Sequence, residues 1–205
     1  MYINGGLLQA MQEEIASAAV LVIDEYDGSY DGAHYIIPFK LQRTSYEVTL
    51  NQKKVIMLAQ VYNCPIFLIQ SRLRYPEGKY ASYTALGDHR SNTKLSITAL
   101  LPLNTIMINK HTFNAFHGNT TLLETLATAG NGSPITTLVV MGTETNICID
   151  ATIGPENIKR KFTPDAEGAG AIDHGFTVLT CQDVLTGRDE IWANKSPNIK
   201  FYSNI

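Results

Sequence analysis

The sequence predicts a doubly wound α/β domain, a mainly parallel sheet with helices on both faces. Three observations carry that expectation. Apolar runs recur as continuous stretches rather than alternating ones, as in strands covered on both faces. Segments with apolar residues at helical spacing lie between the runs. The 205 residues are 44% hydrophobic and 17% charged, enough apolar material for a core in one domain, read as residues 1–205.

The first helical pattern, Leu7 to Ser17, places Leu7, Leu8, Met11 and Ile15 on one face. The first strand follows as Ala19-Val-Leu-Val-Ile-Asp24. Asp27 to Ser45, rich in Gly, Tyr and Asp, is long for a loop in a compact domain, and such loops are usually functional lids or poorly ordered. A second helix is expected over Thr49 to Tyr62, then a strand at Pro65-Ile-Phe-Leu-Ile-Gln70. The third strand is Thr105-Ile-Met-Ile-Asn109, and a helix over Thr121 to Ala129 is closed by Gly130 in the usual C-cap place. The fourth strand is Thr137-Leu-Val-Val-Met-Gly142. After a bracketed insertion, Gly154 to Pro164, come strands at Phe176–Thr180 and Ile199–Tyr202. In a sheet of this kind the ligand site lies beyond the carboxyl ends of the strands.

Composition narrows the function. With 16 basic against 19 acidic residues the net charge is −3, and no basic cluster marks a nucleic-acid surface. No apolar run approaches the roughly 20 residues a membrane span needs. Met1–Gly6 lacks the positive charge of a signal peptide. Three cysteines, Cys64, Cys148 and Cys181, are an odd count without ligand-like spacing, which argues for a reducing, cytoplasmic setting and against a structural zinc site. The turn Asp24-Glu-Tyr-Asp-Gly28 has neither a dinucleotide glycine fingerprint nor a phosphate-binding lysine.

Polar residues that end apolar strands are the informative ones. Asp24 ends the first strand, Lys110 follows the third, and Cys148 follows the fourth after a Gly-Thr-Glu-Thr turn. Singly, each has an ordinary explanation: a turn residue, a solvated strand end, a buried small hydrophobe. Together they supply a nucleophile, a proton acceptor and a cation. A cysteine in the first turn of a helix faces free N–H groups and the positive end of the dipole, which predicts a thiolate more reactive than Cys64 or Cys181.

These residues and their surroundings resemble the isochorismatase-like cysteine hydrolases, a superfamily that includes nicotinamidases and N-carbamoylsarcosine amidases. The resemblance runs from about Val20 to about Val184. It rests on Val20-Leu-Val-Ile-Asp24, on Lys110-His-Thr-Phe-Asn-Ala-Phe116 with Thr120 and Leu122, on Gly142-Thr-Glu-Thr-Asn-Ile-Cys148, and on Gly175-Phe-Thr-Val-Leu-Thr-Cys-Gln-Asp183. It implies a six-stranded parallel sheet in the order 3-2-1-4-5-6. It implies Cys148 as nucleophile, Asp24 as general base and then acid, and Lys110 as the group that holds and polarises them. It also implies an oxyanion hole from the N–H groups of Glu144 and Cys148, and a non-proline cis peptide at Thr143–Glu144. Tyr26, Gln70, Arg72, Phe116 and Thr145 are the candidate substrate contacts.

The chain departs from the family in several places, the Gly154–Pro164 insertion and the long loop after Asp27 among them. Tyr26 stands where many members have Gln. The metal-binding Asp-x-His of nicotinamidases is replaced by Gln70-Ser-Arg-Leu-Arg-Tyr75, with no carboxylate and no histidine, and Asp88-His89 lies too far along to replace it. The expectation is therefore a hydrolase without metal or cofactor, acting on a small-molecule amide or ureido C–N bond through a Cys148 acyl-enzyme. The alternatives are vinyl-ether hydrolysis with Asp24 as acid, and a non-catalytic binding module on the same fold. A homo-oligomer, dimer or tetramer, is expected from the family alone.

Overall fold

A computed structural model describes residues 2–25, 45–71, 97, 99–110, 112–117, 120–130, 132–143, 145–154, 168–186 and 196–205. In chain order the elements are β1 (Tyr2–Gly6), α1 (Leu7–Glu13), β2 (Ala18–Ile23), α2 (Ser45–Val61), β3 (Ile66–Ser71) and β4 (Ile106–Lys110). They continue with α3 (Leu122–Ala129), β5 (Thr137–Thr143), a widened helical turn (Thr145–Ile149) running into α4 (Asp150–Ile153), β6 (Thr177–Cys181), β7 (Leu185–Thr186) and β8 (Ile199–Asn204).

The strands form one parallel sheet in the order β1-β8-β6-β5-β2-β3-β4, with the short β7 pairing off β5. Six of these strands stand in the 3-2-1-4-5-6 order. The sheet nevertheless has eight strands among the described residues, not six. Tyr2–Gly6 adds a strand beyond β8, and Leu185–Thr186 adds the β7 stub.

Burial explains the run pattern. All six residues of β2 and all seven of β5, the two central strands, are buried. Continuous apolar sequence is what a strand covered on both faces requires. At the sheet edge β4 instead alternates, burying Ile108 and Lys110 while Met107 and Asn109 are exposed. On one face α1 packs against α2 and toward β6 and β8. Leu122 and Leu126 bury the inner face of α3.

Two local expectations change. Gly130 does follow α3, but with φ −67° and ψ 133° it is extended rather than left-handed. It is required for another reason: a Cβ there would lie 2.0 Å from the Ser133 carbonyl oxygen. The segment carrying Cys148 opens as a widened turn before it tightens into α4, so Cys148 is not in the first turn of a regular α-helix.

Candidate active site

The sheet brings three strand ends to one edge. β2 lies between β3 and β5, and β4 flanks β3, so residues just past the carboxyl ends of β2, β4 and β5 are near neighbours. Gly142 makes the closest approach possible. Its φ is +131°, and a Cβ there would lie 2.0 Å from the Ile23 carbonyl oxygen. Only glycine lets β5 run this close to the strand that delivers Asp24. Asp24 itself is left-handed, with φ +52°, a conformation uncommon for a residue with a side chain. Its N–H still donates to the Ile69 carbonyl at 3.0 Å, so the chain turns out of β2 without losing the pairing to β3.

Asp24, Lys110 and Cys148 meet there. The Lys110 ammonium lies 2.6 Å from Asp24 Oδ2 and donates to the Phe113 carbonyl at 3.2 Å. The Cys148 thiol is within hydrogen-bonding reach of both Asp24 and Lys110. Lys110 is 0% exposed, and Asp24, the Phe113 carbonyl and Cys148 are its partners. Burial alone pulls an ammonium toward neutrality. Here the Asp24 charge and the thiol outweigh it, and Lys110 is held above its ordinary 10.5.

The thiol behaves differently from the sequence expectation. Burial first, and the neighbouring Asp24 charge second, push Cys148 well above its ordinary 9.0, and Lys110 offsets only part of that rise. Burial and Asp24 thus favour the thiol form, while Lys110 favours the thiolate. Burial likewise pushes Cys64 up to about 12, and its Sγ donates to the Ala18 carbonyl at 3.2 Å. What separates the two cysteines is their partners rather than their acidity.

The loop after Lys110 is pinned by residues that sequence reasoning left without a role. Buried Asn114 donates through Nδ2 to the Gly168 and Ala169 carbonyls, at 3.2 and 3.0 Å, and accepts the Phe116 N–H. The Ala115 N–H donates to Thr152 Oγ1 at 3.0 Å, fastening this loop to α4. Asn114 stood inside the motif that named Lys110, so its position was visible although its task was not.

The remaining candidates divide. Thr143 and Thr145 are buried around the turn that leads to Cys148, and Gln70 is buried near the carboxyl end of β3, beside Asn109. Phe116 packs its ring on His174, with centroids 5.0 Å apart, and on Phe176 at 6.0 Å. Tyr26, Arg72 and Glu144 lie outside the described residues, as do the Thr143–Glu144 peptide, Asp88-His89, and nearly all of both the long loop after Asp27 and the Gly154–Pro164 insertion. Among the described residues no group of three His, Cys, Asp or Glu side chains is placed to hold a metal ion, and no helix is long and apolar enough to cross a membrane.

Residues 35–154 match the isochorismatase domain model, more than half of the chain. None of the curated proteins matches. Among solved structures, the chain is similar to an isochorismatase family protein from Burkholderia thailandensis, at a TM-score of 0.65 and 17% identity, covering 92% of each chain. It is also similar to an isochorismatase from Pseudomonas putida, at a TM-score of 0.56 and 21% identity over 95% of this chain and 79% of that one. A third is N-carbamoylsarcosine amidase from Thermoplasma acidophilum, at a TM-score of 0.57 and 19% identity over 85% and 87%. At these identities the likeness speaks for the fold.

Proposed function

The chain belongs to the isochorismatase family of hydrolases, and from that premise we propose that it hydrolyses a small-molecule amide or ureido C–N bond through a covalent Cys148 intermediate. The observation that carries the reading is the buried trio, with Lys110 2.6 Å from Asp24 and the Cys148 thiol within reach of both.

The chemistry follows from the protonation states. As the S–C bond forms, the Cys148 proton passes to the Asp24 carboxylate. Lys110 keeps its charge throughout, orienting the carboxylate and attracting the developing thiolate. The negative oxygen of the tetrahedral species is assigned to the N–H groups of Glu144 and Cys148. Asp24 then returns its proton to the leaving nitrogen as the C–N bond breaks, leaving a thioester, or a thiocarbamate from a ureido substrate. Asp24 next takes a proton from water, whose oxygen attacks the same carbon, and the S–C bond breaks as Cys148 regains a proton.

The reading needs no metal, because Gln70-Ser-Arg-Leu-Arg-Tyr75 offers neither carboxylate nor imidazole. Tyr26, Gln70, Arg72, Phe116 and Thr145 are assigned to the substrate side, with Arg72 suited to a substrate carboxylate. One domain, a homo-oligomeric assembly and a cytoplasmic setting complete the proposal.

The test is a panel of small amides, ureido acids and isochorismate, incubated with excess chelator and followed by ammonia and product release. Hydrolysis of an amide or ureido acid by the wild type, lost in Cys148→Ser, is expected. Turnover of isochorismate that survives Cys148→Ser would replace this reading with the vinyl-ether reaction, in which Asp24 acts as acid and no acyl-enzyme forms. Activity abolished by chelator would overturn the metal-free mechanism.

A further inference from the structure

The two turns that carry Asp24 and Cys148 are tied to a third segment, Gln182–Thr186, which contributes no group to the proposed chemistry. On the base side, Gln52 of α2 is fully buried and donates through Nε2 both to Glu25 Oε1, at 2.6 Å, and to the Val184 carbonyl, at 3.0 Å. Glu25 is buried and is the residue immediately after Asp24. The neighbouring Asn51 donates to the Asp183 carbonyl at 3.3 Å, and Asp183 Oδ2 accepts the Ile205 N–H at 3.0 Å. The segment is thus anchored to α2 and to the end of β8.

On the nucleophile side, β7 pairs Leu185 with Gly142 and Thr186 with Thr143. The hydroxyls of Thr186 and Thr143 share a 2.8 Å hydrogen bond, and Thr186 Oγ1 donates more weakly to the Gly142 carbonyl at 3.4 Å. Thr145 Oγ1 donates to the Thr186 carbonyl at 2.8 Å. Every one of these threonines is buried, so each hydroxyl left without its partner would pay the full cost of desolvation.

From this arrangement we infer that Gln182–Thr186 is a brace that sets the distance between the base-bearing and nucleophile-bearing turns, with Gln52 and Thr186 as its positioning residues. The geometry gives the reason a brace is needed. Asp24 sits in a strained left-handed conformation, and the Cys148 turn is a widened one, so neither turn is held by regular secondary structure alone. A two-point tie through one short segment lets both be fixed by the same reference. The inference rests on the proposed pairing of Asp24 with Cys148.

The test is the pH–rate profile of iodoacetamide labelling at each of the three cysteines, followed by peptide mass spectrometry on the whole chain. Loosening the brace exposes the thiol and moves it from Asp24, so Thr186→Val labels Cys148 about tenfold faster near pH 8, with its midpoint moved down toward the ordinary thiol range. Gln52→Asn, whose shorter amide cannot span Glu25 and Val184, gives the same signature. Labelling of Cys64 and Cys181 stays at the wild-type rate in both, which separates a local release from general loosening. Thr186→Ser keeps the hydroxyl and overlays the wild type. An unmoved Cys148 profile in folded Thr186→Val, an equal acceleration at all three cysteines, or a shifted profile in Thr186→Ser would overturn the brace. Asp24→Asn serves as the separate control. It lowers the Cys148 midpoint by removing the neighbouring charge, and if it does not, the Asp24–Cys148 pairing itself is wrong.

Discussion

A lysine buried to 0% exposure survives as a cation only when its charge and all three N–H donors are met. Lys110 has the Asp24 carboxylate 2.6 Å away, with the Phe113 carbonyl and the Cys148 thiol as further partners. Removing one member of such a pair leaves the other charge buried alone, the expensive case. Lys110→Met is therefore expected to cost about 3–5 kcal/mol in urea denaturation, whereas the double variant Lys110→Met with Asp24→Asn recovers most of that loss. A single variant as stable as the wild type would mean that the pair is solvated. The same pair carries a pH signature. Lys110 is raised above its unfolded value of 10.5, so its contribution is complete below that pH and is lost as pH climbs toward the folded value. At this scale the identities were legible in the sequence, because Asp24, Lys110 and Cys148 each follow an apolar strand. The protonation state of the thiol was not. A helix dipole and a cation argue for a thiolate, whereas burial and the Asp24 charge pull the other way, and both depend on chain segments far away in sequence.

Elements were readable where one signal dominated. β2 and β5 announced themselves as unbroken apolar runs because they are covered on both faces. β1 did not, since Tyr-Ile-Asn-Gly-Gly has two glycines and no apolar run, and only its pairing with β8 makes it a strand. The β7 stub is two residues long and exists only as a partner of Gly142 and Thr143. Its threonine, Thr186, is the residue that sequence reasoning passed over, because the hydrogen bonds that tie it to β5 and the Cys148 turn span some forty residues. Gly142 shows how much an element junction can depend on one position. A methyl group there meets the Ile23 carbonyl oxygen at 2.0 Å with φ fixed at +131°. Gly142→Ala is expected to destabilise the fold by about 2–5 kcal/mol, read from the urea midpoint, as β5 is forced off β2 beside the site. A loss under about 1 kcal/mol would show that the two strands can part there without consequence.

For the whole molecule, the doubly wound sheet does one thing that no single element can. It sends β2, β4 and β5 out at the same edge, so a base, a cation and a thiol separated by 86 and then 38 positions become neighbours. The fold class was legible from alternation of runs and helical patterns. The strand order was not legible from spacing, because pairing between distant strands leaves no periodic trace in either one, and it came from the family resemblance. The measurement that bears most directly on the central claim is acid quenching during turnover of the amide or ureido acid that the panel shows to be hydrolysed fastest, followed by peptide mapping. The account predicts a mass gain equal to the acyl or carbamoyl group on the peptide containing Cys148, absent from Cys148→Ser. An adduct on another residue, or full turnover by Cys148→Ser with no adduct at all, would contradict it.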